Sequence, residues 1–102
     1  MIKEIDKEFI GVGEVSGFQF EQVAATEYGY IYKVVGTKGD YYEVFKKRKR
    51  ETFTMVDGIR VITGEKYSYP SSKAFGIWAW TCFTKERAYF RLEQLEKKYK
   101  NV

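Results

Sequence analysis

The sequence predicts an α+β domain, a mostly antiparallel β-sheet followed by one C-terminal α-helix packed on it, and three observations predict it. Glycines punctuate short segments rich in β-branched and aromatic residues, with a single proline, Pro70, among them. Beyond residue 84 the apolar period changes from that of a strand to that of a helix. No repeat, low-complexity tract or linker divides the 102 residues, a length suited to one domain over 1–102.

Strands are expected near 9–15, 18–25, 28–36, 40–47, 52–56, 59–63 and 74–83, with turns at Ser16-Gly17, Thr37-Lys38-Gly39, Asp57-Gly58 and Gly64-Glu65. Asp57-Gly58 carries the strongest hairpin signal, because a type I′ turn needs positive φ at both central residues. The 74–83 strand is apolar on both faces: Phe75, Ile77, Ala79 and Phe83 alternate with Trp78, Trp80 and Cys82. Such a strand is expected at the centre of a sheet with both tryptophans largely buried. In the last segment Ala88, Leu92, Leu95 and Tyr99 recur at i, i+4, i+7 and i+11, one face of a helix over 85–100. Thr84 is placed as its N-cap, and Glu86 in the first turn and Lys97, Lys98 and Lys100 in the last complement the helix dipole.

Apolar residues at 44% and aromatics at 19% exceed what a disordered chain carries. A 12.0 kDa chain buries enough surface to fold without metal or disulfide staples, exposing on the order of 6,000 Å² of roughly 17,000 Å². Cys82, the single cysteine, has no internal partner, which points to a reducing, cytoplasmic setting. The segment from Met1 to Glu8 carries charge at five of its eight positions, so no signal-peptide apolar core is expected there, and no apolar run approaches the about 18 residues of a membrane span.

The absence of histidine excludes histidine acid–base chemistry, Ser-His or Cys-His nucleophiles and the usual zinc sites. Cys82 lies in the most apolar segment, where a thiol is inert. Ser71-Ser72-Lys73 after Pro70 is ordinary loop composition. Gly11-Val12-Gly13 with Gly17 misplaces the third glycine of a dinucleotide fingerprint and leads into a strand instead of a helix. Among the carboxylates, Glu14, Glu21, Glu27, Asp40, Glu43 and Asp57, no spacing singles out a pair, and solvated strand faces are their expected place. The sequence therefore predicts no enzyme, no catalytic residue, no metal, no cofactor and no small-molecule substrate.

Two binding constellations remain. Lys46, Lys47, Arg48, Lys49 and Arg50 are five consecutive cations, expected in a solvated loop or projecting ribbon unless an anion neutralises them. Net charge is +4, and residues 28–102 carry 16 basic against 8 acidic side chains, whereas residues 1–27 carry 2 against 6. This favours a small non-catalytic domain contacting nucleic acid, or a nucleic-acid-associated complex, through the basic segment. Tyr28, Tyr30 and Tyr32 alternate on one face of a strand, either as sheet packing or as an interface for a protein partner or homodimer. Lys73 to Trp80 partly matches the RNA-recognition-motif pattern, but Ile77 replaces a stacking aromatic and no helix separates the first two strands.

The stretches Tyr41-Tyr42-Glu43-Val44-Phe45-Lys46 and Ser68 to Trp80, followed by a short charged helix, resemble small uncharacterised proteins of bacteriophages and other mobile elements of gut bacteria. The resemblance covers residues 18–100. It implies a cytoplasmic bacterial setting and carries over no catalytic residues.

Overall fold

A computed structural model describes residues 2–12, 15–36 and 39–100. Alternating apolar residues become β1 (Glu8–Ile10), β2 (Gln19–Ala25), β3 (Gly29–Gly36), β4 (Gly39–Lys46), β5 (Lys49–Val56), β6 (Ile59–Tyr67) and β7 (Ala79–Cys82), followed by α1 (Lys85–Lys100). Five strands form an antiparallel sheet in the order β1-β2-β3-β4-β7. The chain leaves that sheet after β4, makes a separate ribbon of β5 and β6, and returns to place β7 beside β4. The α+β architecture is the one the sequence predicts.

One sheet face is covered by α1. Ile31 and Val44 pair across β3 and β4 and meet Ala88 and Leu92, with Cys82 in the same buried cluster. The helix starts where expected, because the Thr84 Oγ1 accepts the Arg87 backbone N–H at 3.2 Å and closes one orphan donor. It docks closely over Gly29: a Cβ there would sit 2.9 Å from Leu92 Cδ1 and 2.9 Å from the Phe45 carbonyl oxygen.

The other face is aromatic. Phe20, Tyr30, Tyr32, Val34, Phe45 and Ala79 are buried there beneath the N-terminal segment and residues 67–78. Tyr69 is wedged edge-on among Phe9, Phe20, Tyr32 and Phe45, with ring centroids 4.7–5.6 Å away, the arrangement favoured by aromatic quadrupoles. Tyr32 donates its hydroxyl to the Asp6 carbonyl oxygen at 2.8 Å, and Tyr30 bonds the Glu4 carboxylate, so the buried phenols tie the N-terminal segment down.

Three expectations are corrected. The 74–83 strand shrinks to β7, and it lies at the edge of the sheet instead of its centre. Ser72–Ala74 forms a 3-10 turn and Gly76 takes φ +90°, so the chain turns where the residue pattern alone continues. Trp78 and Trp80 are accordingly half-buried, each under a guanidinium: Arg48 over Trp78 and Arg91 over Trp80, both 4.9 Å from the ring. Gly64-Glu65 is no turn, since β6 runs on to Tyr67 through a bulge opposite Thr52 and Phe53. The expected strand over 9–15 ends at Ile10. Glu14, together with Thr37 and Lys38 of the expected β3–β4 turn, lies outside the described residues.

Candidate functional site

The β5–β6 ribbon is the element that the rest of the fold leaves unused. Asp57 at φ +52° and Gly58 at φ +78° close it with the expected type I′ turn. At its base the Lys3 amide donates to the Glu65 carbonyl oxygen at 3.1 Å and the Tyr67 amide donates to that of Lys3 at 2.9 Å. Beyond this anchor the substantial packing of β5 and β6 is with each other. The radius of gyration of 15.1 Å exceeds the about 13 Å of a compact chain this long, and the accessible surface of 7388 Å² exceeds the expected about 6,000 Å². A projecting arm accounts for both.

Cross-strand register sorts the arm's side chains. Phe53 faces Ile62 and Met55 faces Arg60 on one side, with the Arg60 guanidinium 4.2 Å from the Phe53 ring centroid. Val56 faces Ile59 and Thr54 faces Val61 on the other. Phe53, Met55, Val56, Ile59, Val61 and Ile62 retain 42–67% of their surface in solvent. The inner half is charged, and like charges face each other there: Arg50 opposite Lys66, and Glu51 opposite Glu65.

Four of the five expected cations, Lys46, Lys47, Arg48 and Lys49, line one open cavity of about 460 Å³ with Glu27, Tyr28 and Tyr67, but they differ in exposure and partners. Lys46 ends β4, where its ammonium lies 3.8 Å over the Tyr99 ring. Lys47 turns inward: its side chain is only 10% exposed, its Nζ is 3.0 Å from Glu4 Oε1, and it sits over the Tyr30 and Tyr67 rings. Burial raises the Glu4 carboxyl, but hydrogen bonds from Tyr30 and Lys47 and the Lys47 charge outweigh it and hold that carboxyl below its ordinary value. Arg48, Lys49 and Arg50 are exposed, at the base of the ribbon and not at its tip. A continuous five-cation phosphate patch is therefore not what the fold presents.

The tyrosine interface is corrected too. Tyr30 and Tyr32 are fully buried in the aromatic core and Tyr28 is half-buried, so the alternating phenols cannot meet a partner as one face. Burial, relieved in part by the hydrogen bond from Gln22, pushes the Tyr32 hydroxyl up to about 12. The apolar outer ribbon, Phe53, Met55, Val56, Ile59, Val61 and Ile62, is what sequence reasoning missed, although Phe53 and Met55, and Ile59 and Val61, alternate with polar residues. Alternation marks strands but does not say which strands will be covered.

Among the described residues no cluster of three or more carboxylates or thiols has the arrangement of a metal site, and no helix is long and apolar enough to cross a membrane. No protein-family model, curated protein or solved structure matches the chain.

Proposed function

We propose that this chain is a non-catalytic protein-interaction module that associates with a second copy of itself through the outer half of the β5–β6 ribbon. The observation that carries this reading is the set of six half-exposed apolar side chains on an arm that, beyond its base, shares no substantial contact with another helix or strand among the described residues. Two-stranded ribbons are marginal in water, and contiguous exposed apolar surface marks interaction sites. A second copy supplies both an apolar partner surface and free strand edges, in the self-complementary geometry of a two-fold interface. A two-fold contact covers one face of the ribbon, and on the face without Arg60 the side chains of Val56, Ile59 and Val61 would each gain about 1 kcal/mol by burying their exposed half, hence roughly 6 kcal/mol over both copies. Association costs about 4–15 kcal/mol, so the dimer draws on main-chain pairing of the free strand edges as well as on this burial, and its population depends on concentration.

Sedimentation velocity between about 1 and 500 µM tests the reading. The dimer fraction should rise with concentration, and Ile59→Lys at the exposed tip should leave a monomer with an unchanged melt. A wild-type monomer throughout that range overturns it.

One observation favours a second reading, contact with nucleic acid. Arg48, Lys49 and Arg50, with Lys66 opposite Arg50, place exposed cations together at the ribbon base. Duplex binding through them should weaken steeply with salt, and replacing Arg48, Lys49 and Arg50 with Ala should flatten the slope by roughly two to three units. Binding weaker than about 100 µM at low salt removes this reading.

A further inference from the structure

A cavity of about 710 Å³ opens on the aromatic side of the sheet, between β1, the residues Gly11, Val12 and Val15, and the segment from Tyr69 to Phe75. Its size is that of a small-molecule site. Phe9, Ile10, Val12, Val15, Phe20 and Phe75 give it apolar, partly aromatic walls. One acidic side chain lies in this lining, Glu43 of β4, only 9% exposed. The Tyr69 hydroxyl donates to its Oε1 at 2.6 Å.

That hydrogen bond orients the carboxylate without neutralising it. None of the described residues lining the cavity is basic, and no ion pair among the described residues includes Glu43. The titratable side chains coupled to this corner, Tyr69, Tyr41 of β4 and Tyr32 of β3, are all phenols. Burial pushes the Glu43 carboxyl up, and only the Tyr69 hydrogen bond opposes it. An acceptor for Tyr69 is all that the packing asks of position 43, and a neutral amide would serve. A buried, unpaired carboxylate costs several kcal/mol, which a cation recovers, and aromatic rings in the same wall attract the same charge.

We infer that this cavity binds an organic cation, a small apolar body bearing one protonated amine, with Glu43 as counter-ion and the aromatic wall around the apolar part. The site is separate from the ribbon and does not depend on self-association.

The test is a titration of the isotope-labelled chain at neutral pH, read by amide chemical shifts. The probes are 2-phenylethylamine, its neutral counterpart 2-phenylethanol and the anion phenylacetate. The amine should shift Gly11, Ser71, Ser72, Phe75 and Thr81 with a Kd on the order of 1 mM, the range expected of a ligand this small. The alcohol should bind about tenfold more weakly and the anion not at all. Glu43→Gln should cost the amine about tenfold in affinity. Val12→Arg, at an exposed position on the cavity wall, should weaken it likewise by supplying a competing cation, which keeps the test decisive if the Gln variant does not fold. Equal affinity for amine and alcohol, undiminished amine binding in the folded variants, or no shift at about 10 mM amine overturns the inference.

Discussion

Replacing Leu92 and Gly29 singly and together tests how the helix is seated. Leu92 is 4% exposed on the inner face of α1, so Leu92→Ala removes nearly its whole transfer free energy and leaves a cavity against Ile31 and Val44, a loss of about 2–5 kcal/mol. Gly29 has no positive φ, and Gly29→Ala is therefore a steric change alone. Its new Cβ meets Leu92 Cδ1 and the Phe45 carbonyl oxygen, each at 2.9 Å, and lifting the helix or strand costs about 1–3 kcal/mol. In the double variant the Leu92 clash is gone while the Phe45 clash stays, so the combined loss should fall short of the sum by about 0.5–2 kcal/mol. Urea denaturation of the four proteins measures the cycle. Total stability of about 5–15 kcal/mol for a chain of this size leaves a folded baseline for the cycle as long as it exceeds the combined loss of the double variant. A cycle additive within about 0.3 kcal/mol, or a Leu92→Ala loss below about 0.5 kcal/mol, would refute this account of the docking.

Three further outcomes are expected. Glu43 binds its proton more tightly folded than unfolded because burial raises its carboxyl from the ordinary 4.5, so its contribution favours folding below that value and is lost as pH rises through the folded value. Glu43→Gln should therefore gain stability relative to wild type between pH 4 and pH 7 in paired urea melts, and a relative loss over that interval would contradict the direction of the shift. Gly58→Ala places a side chain at φ +78° with nothing within 4 Å, so the cost of about 1–2 kcal/mol is backbone strain alone. Amide exchange should quicken in β5 and β6 while β3 and β4 keep their protection, and uniform acceleration would show that the ribbon does not open separately. Lys47→Ala, which strips Glu4 of its ion pair and two rings of a cation, should cost about 1–3 kcal/mol, whereas Lys49→Ala on the exposed ribbon base should stay within about 0.5 kcal/mol. Equal losses in thermal melts would mean that Lys47 is no better partnered than its neighbour.

Sequence reading succeeded where the deciding forces act over a few residues. Helix α1 occupies the expected span because the spacing of Ala88, Leu92 and Leu95 and the Thr84 cap are local features. The Asp57-Gly58 turn is likewise a matter of two adjacent backbone conformations. Five of the seven expected strands appear nearly where alternation puts them; β1 stops at Ile10, and the last strand fails because Gly76 and the preceding 3-10 turn break it.

Local pattern determined the α+β class, the capped helix and the type I′ ribbon, since periodicity, capping and turn chemistry each follow from neighbouring residues. Tertiary structure alone decided which faces meet water. Tyr30 and Tyr32 became core because residues 67–78 and the N-terminal segment close over them, and Lys47 lost its exposure to a carboxylate at position 4. Phe53 and Ile62, no different in pattern from a core pair, stayed outside because no other helix or strand among the described residues packs substantially on the ribbon. Glu43 acquired its buried corner when Tyr69, 26 positions later, reached its carboxylate. Burial and pairing over such separations depend on where the chain returns, and that is a property of the whole fold.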